Sequence, residues 1–226
     1  MGPTSPPEVL FLSLVPGRRL DAYIPLRNAI NANFRSRYTY TASAAIQALE
    51  ESFPRVVILV DEGLTSETNR DVLNKLVAYV RNGGVAMIAG LHFALSFSRE
   101  FNSREFKRFF EAFDLPWEKG NCFYSSCLYK FNEYCNLNTY AEMRQWPQKF
   151  DLKVVNIKNA RPFERIYIPN EPDEIERSVF AQRRVDPNQA AVTGAQIGRG
   201  YLLYIGDVNW EWESAVITLV LVYTRL

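Results

Sequence analysis

Polar and apolar positions alternate between two periods along the chain. Residues 8–15 (EVLFLSLV) form an almost unbroken apolar run, the pattern of a strand covered on both faces. Pro16-Gly17 ends it. Residues 19–34 read as a helix that Pro25 kinks or breaks. Residues 37–41 (RYTYT) alternate Tyr and Thr, which is strand chemistry. Residues 43–53 place Ile46, Leu49 and Phe53 on one helical face, and residues 55–60 (RVVILV) form a second buried strand ending at Asp61-Glu62-Gly63. The clearest helix is 66–81. Val72, Leu73, Leu76, Val77 and Val80 share one stripe, and Asn82-Gly83-Gly84 stops it. Residues 85–89 (VAMIA) repeat the buried-strand pattern and end at Gly90-Leu91-His92.

A helix over 103–113 carries Phe106, Phe109, Phe110 and Phe113 on its inner side. Beyond it the helical period is lost and the chain becomes aromatic and Asn-rich. An irregular insertion is expected at about 114–177, holding a few antiparallel strands such as 122–129 and 152–157. Regular structure returns near Ser178, with a strand at 190–193, a turn at 197–200 and a strand at 201–205. The closing helix, 211–223, is apolar on most sides through Ala215, Val216, Leu219, Val220 and Val222, so it should be buried. Apolar strands alternating with amphipathic helices predict an α/β fold, three-layered, with a mostly parallel flavodoxin-like sheet. A flexible leader over 1–7 and one domain over 8–226 complete the expected organisation.

Composition narrows the chemistry. The 226 residues are 47% hydrophobic and 23% charged, ample for a core. A formal net charge of +1 removes the electrostatic case for nucleic acid or an acidic membrane. No apolar run approaches the roughly 18 residues of a membrane span. The first residues carry no secretory pattern, so an intracellular setting, cytoplasmic or nuclear, is expected. The three Cys follow no paired zinc spacing and read as reduced structural thiols. No cofactor or metal is expected. With one His in the chain, any Ser-His or Cys-His mechanism must use His92.

In an open α/β sheet, ligands sit at the carboxyl ends of the strands. Those ends gather Arg18, Asp61, Glu62, His92, Asp207 and Asn209. Acid/base or metal-ligand roles fall to His92 with Asp61, Glu62 or Asp207. Each also has a plainer reading. His92, Asp61, Asp207 and Asn209 suit caps of loops and helices, and arginines are commonly solvated. Cys122, in the insertion beside Tyr124, could rebuild a Cys-His pair with His92. Arg18, Asn209 and Tyr124 are the candidate ligand contacts. Trp117, Trp146, Trp210 and Trp212 fall in or near irregular segments, where aromatics form either an interface or a small core. No dinucleotide or P-loop fingerprint occurs, and Gly198-x-Gly200 is a turn between strands.

Three stretches carry a resemblance: 76–92 (LVAYVRNGGVAMIAGLH), 194–222 (GAQIGRGYLLYIGDVNWEWESAVITLVLV) and 113–124 (FDLPWEKGNCFY). They resemble class I glutamine amidotransferase-like and trehalose-utilisation (ThuA-like) domains, and uncharacterised filamentous-fungal proteins of that fold. The resemblance implies the α/β scaffold. Catalytic members carry a Cys at the tight elbow after a strand, with a His further on. Here the elbow reads AGLHF over 89–93, without Cys, and no second His exists. The expected function is therefore a non-catalytic, activity-lost domain that binds a protein or small ligand, with an oligomer possible. The alternative is a hydrolase using His92 and nearby carboxylates.

Overall fold

The computed structural model describes residues 6–18, 24–89, 93, 96, 103–136, 146–170, 186–208 and 212–223. The first half follows the predicted alternation: β1 (Glu8–Leu12), α1 (Ile24–Asn31), β2 (Arg35–Thr39), α2 (Ala42–Glu51), β3 (Val56–Leu59), α3 (Arg70–Arg81) and β4 (Val85–Ala89). Two single-turn 3₁₀ helices, Glu62–Thr65 and Glu67–Asn69, lie between β3 and α3. Next come α4 (Ser103–Glu111), β5 (Glu118–Phe131), β6 (Lys149–Lys158), β7 (Arg165–Pro169), β8 (Val192–Ile197), β9 (Gly200–Ile205) and α5 (Trp212–Tyr223).

Local chemistry accounts for several ends. Thr41 caps α2 by accepting from the Ala44 backbone N–H. At the end of α3, the Gly83 N–H reaches the Val80 carbonyl and the Gly84 N–H reaches Tyr79, with Gly83 at φ +105°. That is a Schellman stop, and the positive φ calls for glycine.

The strands form one sheet in the order β2-β1-β3-β4-β9-β8-β7-β5-β6. Alternate strand residues feed two cores. Val9, Phe11, Met87 and Ala89 pack with Leu26 and Ile30 of α1 and Ile217 and Val222 of α5. Leu10, Leu12, Ala86 and Ile88 pack on the other face with Ala45 of α2, Leu76 of α3 and Phe106, Phe109 and Phe110 of α4. Burial on both faces explains the continuous apolar runs.

The second half corrects one expectation and extends another. The sheet is mixed, not mostly parallel. Pairings from β2 to β9 are parallel, whereas β9-β8, β8-β7, β7-β5 and β5-β6 are antiparallel. The stretch at 114–177 holds the expected antiparallel strands, 122–129 within β5 and 152–157 within β6, but they are longer than expected, at 14 and 10 residues, and with the 5-residue β7 they join the main sheet. Register shifts in β5 after Lys119 and Phe123 disturb its period of two.

This half also curls back. The Val155 N–H donates to Gly206 O (2.9 Å), Val208 N–H to Lys153 O (2.8 Å), and Ile157 and Ala190 exchange both backbone bonds. The outer edge of β6 is thereby closed against the chain just beyond β9, which satisfies an edge that would otherwise template pairing.

Candidate functional site

The chain passes from β1 to β2 on one side and then to β3 on the other. The topological switch point of the parallel half therefore lies between β1 and β3, where open α/β sheets take their ligands. Three candidate residues stand there. Asp61, 1% exposed, accepts from Ser13 Oγ (2.5 Å), Leu14 N–H (3.1 Å), Val15 N–H (3.2 Å) and Gly63 N–H (2.9 Å). It caps the Glu62–Thr65 turn and ties it to the segment after β1. Among the described residues its donors are the Ser13 hydroxyl and three backbone N–H groups, and Asp61 acts as a cap. Gly63 is required beside it, since a Cβ there would stand 2.5 Å from Leu14 Cβ.

Arg18 and Glu62 form a half-buried ion pair across the switch point at 2.6 Å. Arg18 Nε and Glu62 Oε2 are buried without a hydrogen-bond partner. This is the one polar pair at that edge whose hydrogen-bonding capacity is only partly used among the described residues.

Asp207 lies elsewhere. β4 separates β3 from β9, so the ends bearing Asp61 and Asp207 stand about 10 Å apart at ordinary strand spacing. Asp207 is fully buried and bridges Val154 of β6. The closure of β6 thus covers the carboxyl end of β9. His92, Asn209 and Trp210 lie outside the described residues.

Cys122 sits on β5 opposite Val155. It is half-buried, and burial pushes its thiol up from the usual range, only partly offset by Lys119. A raised thiol is a poorer nucleophile at neutral pH. Tyr124 lies on β5, but its side chain is outside the described set, as is that of Trp212 on α5. Trp117 and Trp146 are buried within the chain and present no surface. The Trp117 indole N–H donates to Glu164 Oε2 at 2.8 Å, and Trp146 stacks on Tyr167. They take the small-core alternative, not the interface role.

Sequence reasoning missed two features. The buried Glu164 also receives the Arg161 N–H (2.8 Å) and guanidinium (2.6 Å). No local pattern marks it as a core anchor for Trp117. The second is a cavity of about 500 Å³ between α3 and α4, beginning at Leu64 in the turn that Glu62 opens. Among the described residues no group of three His, Cys, Asp or Glu side chains is placed to hold a metal, and no helix is long and apolar enough to cross a membrane.

No family model matches the chain, and no curated protein does. Solved structures do. A glutamine amidotransferase from Thermotoga maritima aligns over 96% of this chain and 83% of its own, at 9% identity and TM-score 0.53. An exo-β-1,4-mannosidase from an Opitutaceae bacterium aligns over 96% of this chain but 33% of its own, at 10% identity and TM-score 0.51. A GH42 β-galactosidase aligns at 12% identity and TM-score 0.48 over 95% of this chain and 30% of its own. The chain thus spans about a third of the length of these glycosidases. The mixed α/β fold is thus similar to that of a glutamine amidotransferase and of part of a mannosidase, and identities this low bear on the fold alone.

Proposed function

We propose that the chain is a non-catalytic relative on the amidotransferase-like scaffold, acting by binding a protein or small ligand at the carboxyl edge of its sheet. One observation carries this reading: Asp61, the acid at the switch point, is spent on four internal hydrogen bonds. A general acid or base needs a proton-transfer partner in reach of substrate, and Asp61 is sequestered from that task. The raised Cys122 thiol and the lack of Cys over 89–93 point the same way. The same fold makes up most of an amidotransferase and a third of a mannosidase, so the scaffold by itself selects no chemistry. An intracellular setting fits Cys122, Cys127 and Cys135, which form no disulfide.

The test is turnover. The purified chain is assayed for glutaminase, esterase and glycosidase activity beside its Cys122→Ala and His92→Ala variants. No activity above background is expected in any of the three. Activity that either substitution abolishes overturns the reading.

A further inference from the structure

The cavity between α3 and α4 is unassigned by the preceding argument. Its apolar lining is the half-buried Leu73 and Ala112 over the buried Leu64 and Phe109. Over it, two guanidiniums share one carboxylate. Arg70 of α3 meets Glu67 Oε2 at 3.0 Å, and Arg108 of α4 meets Glu67 Oε1 at 3.4 Å. Glu67 thus straps two helices that otherwise flank an open groove.

We propose that this groove binds a small organic anion, an oxyanion group on an apolar body, whose charged end takes the place of Glu67 between Arg70 and Arg108. This groove is a different site from the switch point, and the inference stands apart from the reading made there. Three observations support it. First, a volume of about 500 Å³ falls within the range of small-molecule sites. Second, two arginines presented to the two oxygens of one carboxylate are already arranged for an oxyanion, which guanidinium forks match well. Third, the strap is cheap to release. Glu67, Arg70 and Arg108 are 61%, 66% and 65% exposed, and exposed ion pairs contribute little. The short turn that carries Glu67 buries no residue, so it can swing without disturbing a core. Glu111 also lines the groove. The formal charge of the lining is therefore zero with Glu67 in place and +1 once Glu67 leaves, which favours a monoanion.

The experiment uses the full chain, titrated with benzoate, phenyl phosphate and inorganic phosphate while backbone amide shifts are followed by NMR. Saturable shifts at residues 64–74 and 108–112 are expected with benzoate or phenyl phosphate, and weaker binding with inorganic phosphate, which lacks the apolar body. The tighter of the two organic anions identifies the carboxylate or phosphate source. Glu67→Gln removes the internal competitor and should tighten binding by about 1.5- to 5-fold. The double variant Arg70→Gln/Arg108→Gln should abolish saturation. Because both positions are exposed, its amide spectrum should otherwise overlay that of the parent, and the single variants serve if it does not. Absence of saturation up to on the order of 10 mM, unchanged affinity without the arginines, or no tightening by Glu67→Gln each overturns the proposal. The turnover assay is independent of these readouts, so the two readings fail separately.

Discussion

At the scale of single residues, the decisive fact is where each polar group finds its partner. Asp61 follows an apolar strand and precedes Glu62-Gly63, which marks it equally as a cap or as a catalytic acid. Three of its four donors come from residues 46 to 48 positions earlier, and no local pattern carries that information. Trp117 is a parallel case, with its partner Glu164 47 positions away. The Asp61 geometry predicts a stability phenotype. Asp61→Ala leaves the Ser13 hydroxyl and three backbone N–H groups without their buried acceptor. A loss of about 2–4 kcal/mol is expected in urea denaturation. A loss below about 0.5 kcal/mol, the level of an ordinary surface change, would show that Asp61 does not hold the two loops together.

At the scale of elements, legibility followed the period. α2, α3, β3 and β4 lie close to where their apolar spacing places them: the helices rest on local contacts and clear stops, and the strands, covered on both faces, read as unbroken apolar runs. The Gly198-Arg199 turn between β8 and β9 is equally local, yet its strictness comes from packing. Gly198 has φ +62°, and a Cβ there would stand 2.7 Å from the Arg81 carbonyl at the end of α3. Arg199 N–H donates to that same carbonyl at 3.1 Å. Gly198→Ala should therefore cost about 1–3 kcal/mol through combined φ strain and crowding, measured by equilibrium unfolding. Arg199→Ala, which leaves the backbone bond intact, should change stability by less than about 0.5 kcal/mol. β5 was less legible for the opposite reason. Its register shifts interrupt the alternation that marks a strand, so its length emerges only from its pairing with β6 and β7.

At the scale of the whole molecule, the antiparallel half closes on the end of β9, and the packed fold buries one phenol on α3 and three on strands. Tyr79, Tyr129, Tyr167 and Tyr204 are all buried, and burial raises the ionisation of each above the ordinary range. Tyr79, Tyr167 and Tyr204 donate to the carbonyls of Pro54, Pro147 and Val155, each at 2.8 Å. The fold therefore favours the neutral phenol. Below about pH 10 folded and unfolded chains both keep these protons, and stability does not depend on them. Above it the unfolded chain releases protons that the folded chain retains, so stability falls as pH rises. In an alkaline titration, four of the twelve tyrosines should ionise only together with loss of the far-ultraviolet circular dichroism signal. Smooth ionisation of all twelve with that signal intact would contradict the burial described.

The sequence by itself determined the alternating parallel half, the stops of its helices and the absence of a Cys over 89–93. Strands covered on both faces must be apolar throughout, amphipathic helices must show their stripe, and a missing Cys is visible without coordinates. Tertiary structure alone decided that half of the sheet pairings are antiparallel, that β6 covers the end bearing Asp207, that Asp61 is consumed internally, and that Glu67 bridges two helices over a groove. Each of these depends on which distant segments meet. Partner choice across tens of residues is settled by packing and backbone pairing, and leaves little periodic trace in the chain.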